Sequence, residues 1–318
     1  NLKMFRLPPS VGVIPAKGYK VLWFDHNEAD PRQIDFKLDC DGGTFYIADE
    51  NGNLVTLQSY PAAISRTSYA RTTDGANNWG LTALPTPGKS NDGSVFATAR
   101  LDAPIINKDS QLFTSSFIAR VTIPDGATLK YTTDGTTPSA TNGQVSTTGR
   151  FPVNTTTTYR FRLFQDGMLP SEVITRSYIY KDKEFKLPVI SVVTDPVNLY
   201  DDSLGVYVKG VNGRPGNGQS TPCNWNMEWD RPVNFEYITP DGKMAFNQEV
   251  DFAMCGGWSR AWLPHSFKLK AAKVYEGRNS LNYQFFAGKP YLKHKTLQIR
   301  NGGNDNNCRI QDAALQTI

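Results

Sequence analysis

Short apolar runs alternating with polar residues recur through most of this chain, and turn-forming residues separate them. A period of two marks a half-buried strand, and over residues 1–98 no segment sustains the 3.6-residue period of an amphipathic helix. Near the start, Gly18–Phe24 and Ile34–Leu38 each read as a strand. Gly42-Gly43 then turns into Thr44–Ala48, and Asn51-Gly52 separates that run from Leu54–Leu57. Asn-Gly between alternating runs is a strong hairpin signal. Further on, Phe117–Ile123, Ala127–Thr132 and Thr155–Arg162 are rich in Thr, Tyr and Phe and punctuated by Asp134-Gly135 and Pro138, which suits a small sandwich.

The character changes after residue 182. Leu187–Thr194 reads as a strand, followed by a turn or short helical start at 195–199. The Gly- and Asn-rich stretch 210–218 reads as a mobile loop. Arg231–Tyr237 and Gln248–Met254 read as strands joined through the Pro240–Lys243 turn, Ser266–Ala271 as another strand, and a helix is expected from Asp312. The pattern predicts a mainly β chain in three parts: β-sandwiches over 1–98 and 99–182, then a β-rich α+β portion over 183–318. A length of 318 residues is enough for two or three cores.

The formal charge of +4 implies no polyelectrolyte partner, but its distribution changes the picture. From Gly256 to Ile318 there are ten basic residues against three acidic ones, a net of +7. That region can attract an anionic ligand, or it is simply a solvated basic face. No run of eighteen apolar residues exists, so no helical membrane span is expected. The chain carries no signal peptide and reads as a piece of something longer, with both ends falling inside a domain. The four cysteines (Cys40, Cys223, Cys255, Cys308) lack paired zinc spacing and are too few for a disulfide scaffold. Either one disulfide in the last segment or buried free thiols would fit.

Candidate chemistry concentrates in the last quarter. On the strand 266–271, Phe267, Leu269 and Ala271 face a core, while Ser266, Lys268 and Lys270 share the other face. Upstream lies the turn Gly256-Gly257-Trp258-Ser259-Arg260, and downstream Arg300-Asn301-Gly302-Gly303-Asn304-Asp305. Together they can hold a phosphate-bearing ligand, with Arg260, Lys268, Lys270 and Arg300 as the binding residues. The histidines (His26, His265, His294) are scattered, and no P-loop, G-x-S-x-G or H-E-x-x-H motif is present. Asp305 reads as a turn former and Asp312 as a helix N-cap, so no metal site and no catalytic residue are assigned. Tyr131, Tyr159 and Trp79 are either sugar-stacking aromatics or strand core.

Three resemblances rest on these strings. Ser68-Tyr69-Ala70-Arg71-Thr72-Thr73-Asp74-Gly75, Trp79 and Pro85-Thr86-Pro87-Gly88-Lys89-Ser90-Asn91 resemble the lamin-tail family, which implies an immunoglobulin-like fold for 1–98, with N-terminal strands missing. Tyr131-Thr132-Thr133-Asp134-Gly135, Thr155–Thr158 and Ser171-Glu172-Val173 resemble the fibronectin-like module at the C-terminus of chitobiase-type hexosaminidases, so 99–182 is expected to be a second immunoglobulin-like sandwich. Leu187–Ser191, Gly256–Arg260, Ser266–Lys270 and Leu297–Asp305 leading to Asp312 resemble the spore-coat CotH family of atypical kinases. That implies a kinase-like N-lobe fragment over 183–318. The family places a lysine for nucleotide phosphates where this chain has His265, and its catalytic and magnesium-binding aspartates would fall beyond Ile318.

The resulting expectation is an extracytoplasmic protein, secreted or at the cell surface, whose kinase-like lobe is presented by two modules. ATP and magnesium would serve a longer parent; this chain by itself is expected to be inactive and without cofactor. The alternative is a cell-surface adhesion or glycan-associated protein with a vestigial lobe, its partner a protein or a glycan. Nucleic-acid binding by the basic segment is the weakest reading, because aromatic and basic residues do not interleave there.

Overall fold

The computed structural model describes residues 5–24, 30, 32–216, 218–303, 305 and 308. It is mainly β and divides into two compact units, one of Asn1–Arg100 with Gly167–Leu169, the other of Leu101–Asp166 with Pro170–Ile318. His26, Asn304 and the helix expected from Asp312 lie outside the described residues.

In the first unit β1 (Gly43–Ala48) pairs antiparallel with β2 (Leu54–Tyr60), and β3 (Ser68–Arg71) with β4 (Trp79–Thr82). The β1–β2 turn is the expected one: Gly52 has φ 88° and donates to Asp49 O, while the Asp49 carboxylate gathers the N–H groups of Asn51 and Asn53. The strands expected at Gly18–Phe24 and Ile34–Leu38 do not form; a single Trp23–Gln33 bridge stands in their place. A polar string instead ties the end of the unit together. Asn91 donates to Arg71 O at 2.7 Å and to Asp74 Oδ1 at 3.2 Å, and Tyr19 donates to Asp74. Trp79 stacks on Tyr69 and carries the Arg71 guanidinium 4.8 Å from its ring centre.

The second unit opens with a small sandwich. One sheet has the order β5 (Gln111–Phe113), β11 (Ile174–Tyr180), β10 (Thr157–Phe164), β7 (Thr128–Thr132), β8 (Gln144–Ser146), and β6 (Phe117–Arg120) pairs with β9 (Arg150–Val153) in the other. Alternation places Leu129, Phe151, Val153, Phe161, Leu163 and Tyr178 in the core between them. Aromatic edges meet aromatic faces there, as Phe151 does with Phe161 at 4.8 Å, the arrangement ring quadrupoles favour.

A second five-stranded sheet follows, in the order β12 (Val189–Val193), β15 (Asp230–Ile238), β16 (Met244–Met254), β17 (Phe267–Lys270), β20 (Thr296–Ile299), antiparallel throughout. One face carries Val233, Phe235, Phe246, Val250, Phe252, Leu269 and Leu297 into a core completed by Val206 and Leu281. Around it lie the helical turns α1 (Val197–Tyr200) and α2 (Lys273–Glu276) and two hairpins, β13 (Arg214–Gly216) with β14 (Gln219–Cys223) and β18 (Leu281–Asn282) with β19 (Lys293–His294). The 210–218 stretch, expected to move, is therefore a paired hairpin in its second half. Buried Asn224 pins its start, donating to Asp202 O and Gly205 O and accepting from Asn212 N–H. Gly210, at φ 62°, leaves room for that side chain, because a Cβ there would sit 2.0 Å from Asn224 Nδ2.

Sandwich and sheet share a polar seam. Leu112 N–H donates to Gly242 O in the β15–β16 turn, which thereby continues the β5 edge. Ser110 donates to the Glu236 carboxylate, and Ser177 and Ser191 hydroxyls meet at 2.8 Å. At one end Asp195 accepts from the Thr137 N–H and hydroxyl and pairs with Arg160 at 3.4 Å. All four cysteines are free thiols, Cys223 and Cys255 buried, Cys40 and Cys308 exposed.

Candidate functional site

The three sequence-distant segments that carry the candidate cations meet at one end of the second sheet. Chain continuing past β16 brings Cys255, whose N–H donates to Ser266 O at 3.0 Å. The Ser266 hydroxyl in turn accepts the Asn301 N–H at 2.9 Å. Asn301 is the clasp: its amide nitrogen donates to Ser259 O (3.2 Å) and Trp262 O (3.1 Å), and its oxygen accepts from Gly303 N–H (2.9 Å). The two glycine turns thus face one another. A Cβ on Gly303 would lie 3.7 Å from Ser259 Oγ and 3.9 Å from the Arg300 guanidinium.

Strand register fixes the cations. Lys268 sits opposite Ala253 and Gln298, on the face away from buried Leu269, and makes no hydrogen bond or ion pair among the described residues. Arg300 follows Gln298 by two residues. Arg260, in the turn after β16, donates to Gly256 O at 3.0 Å and Asn226 O at 3.4 Å. Burial pushes the Cys255 thiol above its ordinary pKa, and Lys268, Arg260 and Arg300 each pull it the other way. Three of the four predicted cations are therefore near enough to one thiol to favour its ionised form. Lys270 does not join them, because its ammonium is committed to Asp230 at 2.5 Å.

His265 occupies the position where the resemblance expects a phosphate-binding lysine. It is buried, edge-on to Tyr207 at 4.7 Å and tilted over Trp225 at 4.9 Å, with Nδ1 2.7 Å from Arg260 O. Burial lowers its pKa, and hydrogen bonds to Arg260 and Trp262 oppose that only in part. A neutral imidazole wedged under the turn supports the backbone of the site and contributes no charge to it.

Chemically the arrangement gathers cationic side chains at one end of the sheet. Such donors suit phosphate or carboxylate oxygens. Among the described residues no group of three or more His, Cys, Asp or Glu could hold a metal. Asp305 is a turn former, as expected: its N–H donates to Gly302 O and its carboxylate accepts from Cys308 N–H.

Two of the three aromatic candidates fall on the core side of the alternatives, while Trp79 is half-buried against Tyr69 and Arg71. Tyr159 is buried with its hydroxyl on Pro152 O, and Tyr131 packs edge-on to Phe151 at 4.9 Å with its hydroxyl on Gln144. Glu236 is the residue the sequence pattern passes over. It is fully buried on the sheet's polar face, held by Ser110 and by Asn247 (3.0 Å), and its pKa is raised by burial against the opposing pull of Ser110, Ser177, Arg176 and Asn247.

Residues 110–175 match the family model of the chitobiase/beta-hexosaminidase C-terminal domain. The matched span runs from β5 to the start of β11, so the resemblance read from Tyr131–Gly135 and Thr155–Thr158 holds for the sandwich that contains them. The chain thus carries a module of a carbohydrate-associated type. No curated protein matches the chain. Among the described residues no helix is long and apolar enough to cross a membrane.

Proposed function

We propose that this chain is part of an extracytoplasmic multidomain protein in which residues 183–318 form the N-terminal lobe of a CotH-like atypical kinase. A lamin-tail-like module (1–98) and the chitobiase-type module (99–182) precede it. Lys268, Arg300 and Arg260 take the phosphates of a nucleotide at the Cys255 end of the sheet. The observation that carries this reading is the convergence of three separated motifs, clasped by Asn301, on one cluster of cations. The extracytoplasmic setting draws support from the chitobiase-type match. Phosphoryl transfer needs a positioned metal and a carboxylate beside the phosphates, and this lobe supplies only the cationic wall.

Calorimetric titration of a longer protein, extended beyond Ile318, with ATP and magnesium tests the proposal. Replacing both Lys268 and Arg300 by Met should weaken binding by about tenfold or more, since each charge-assisted hydrogen bond contributes on the order of 1 kcal/mol. Lys270→Met should leave it unchanged. Absence of binding, or equal binding by all three proteins, overturns the assignment.

A second reading, a glycan-associated surface protein with a vestigial lobe, is favoured by the family match over 110–175. A glycan array probed with the whole chain separates the two.

A further inference from the structure

The hairpin β18–β19 presents a loop, residues 283–292, whose inner and outer sides differ sharply. Leu281 is fully buried, and Tyr283 and Phe285 pack on the sheet core, Phe285 lying 5.2 Å from Phe246 and 5.9 Å from Phe235. These three fasten the loop. Beyond them the chain turns outward through the Lys289 N–H to Phe286 O bond, and the next apolar side chains are exposed: Phe286 by 55%, Tyr291 by 64% and Leu292 by 60%. Scattered exposed apolar residues are ordinary; here three fall on one anchored loop, Phe286 edge-on to His294 at 5.9 Å and Tyr291 and Leu292 adjacent in the chain.

The loop brings two cations of its own: Lys289 and Lys293 are both exposed, and no acidic residue lies between positions 283 and 293. Exposed aromatic and aliphatic side chains flanked by a pair of exposed lysines suit the water–bilayer boundary. Rings settle at headgroup depth, leucine enters the acyl region, and ammonium groups meet anionic headgroups. Leu292 has no flat face for stacking on bases, which favours lipid over nucleic acid.

We propose that the 283–292 loop docks on an anionic lipid surface, with Phe286, Tyr291 and Leu292 entering the interface and Lys289 and Lys293 contacting headgroups. The lobe would then lie against a membrane without spanning it. This inference is independent of nucleotide binding, since none of its residues belongs to the Cys255 cluster.

Co-sedimentation of the whole chain with vesicles tests it. Vesicles of equimolar phosphatidylserine and phosphatidylcholine should retain the protein far better than phosphatidylcholine alone. Tyr291→Ala with Leu292→Ala should lower partitioning by about tenfold or more, and Lys289→Gln with Lys293→Gln by a similar factor. All four side chains are exposed, and unchanged melting temperatures would show that the variants fold. No retention on either vesicle overturns the proposal. So does retention indifferent to the apolar pair, or binding to a DNA duplex that depends on the lysines but not on Tyr291 and Leu292.

Discussion

Ser110 donates its hydroxyl hydrogen to the carboxylate of Glu236, joining residues 126 positions apart across the seam between sandwich and sheet. No lysine or arginine forms an ion pair with that carboxylate among the described residues; Arg176, whose charge favours the ionised form, pairs with Asp109 at 3.3 Å. Burial is the larger influence, so the folded protein holds this proton to a higher pH than the unfolded chain does.

The sign of the resulting pH dependence follows. Stability contributed by protonated Glu236 is present below the ordinary glutamate value of 4.5 and is lost as pH rises through the raised folded value. Glu236→Gln keeps an acceptor for Ser110 and Asn247 and removes the titration. Its melting temperature should exceed that of the parent at pH 8, and the gap should shrink or reverse at pH 4. A constant offset across that range would be the contrary result.

His265 works in the opposite direction. A histidine whose pKa is lowered by folding is neutral in the native state while the unfolded chain takes up a proton below about 6.5. Its stability contribution is therefore complete above that value and is lost as pH falls. His265→Gln should melt lower than the parent at pH 8, because the imidazole no longer packs on Tyr207 and Trp225, yet lose less stability between pH 6.5 and 5. Thermal scans of both proteins over that interval measure the difference.

Leu269 is fully buried between the two strands that flank β17, opposite Phe252 and Leu297. Truncating it leaves a cavity in a sheet that has little freedom to collapse. Leu269→Ala should destabilise the second unit by about 2–5 kcal/mol, read as a lower denaturant midpoint. An effect below about 1 kcal/mol would mean that the core there is looser than its burial indicates.

Asn301→Ala frees the carbonyls of Ser259 and Trp262 and the N–H of Gly303 together. About 1–3 kcal/mol of stability should go with them. Limited proteolysis should cut the 256–262 turn faster in the variant than in the parent. Equal cleavage rates would show that the turn's other bonds, to Arg260, His265 and Gln219, suffice to hold it.

Much of this architecture is legible in the order of residues, because short-range chemistry decides it. Asn51-Gly52, Asp134-Gly135 and Asp241-Gly242 each mark a turn, with the glycine at positive φ in every case. The alternation in Phe267–Lys270 assigns Leu269 to the core and both lysines to the other face, as the register confirms. Gly18–Phe24 alternates as convincingly, but a strand also needs a neighbour, and only Trp23 finds one in Gln33. Ion pairing is equally hidden: nothing near Lys270 in the sequence announces Asp230, forty residues upstream. Glu236 escapes for a related reason. Alternation places it on a polar face, and only the tertiary arrangement puts Ser110 and Ser177 over that face.

The β15–β16 turn, which lends Gly242 O to the Leu112 N–H, bears on how the protein can be dissected. Cutting between residues 182 and 183, where the composition shifts, would strip an edge strand of its neighbour and leave a carboxyl group without its serine. An expression fragment that ends near 182 therefore exposes new hydrogen-bonding edge to other chains and invites aggregation. Fragments that begin near residue 101 and run through β20 keep both halves of the seam and the whole five-stranded sheet together, and those are the ones suited to solution work.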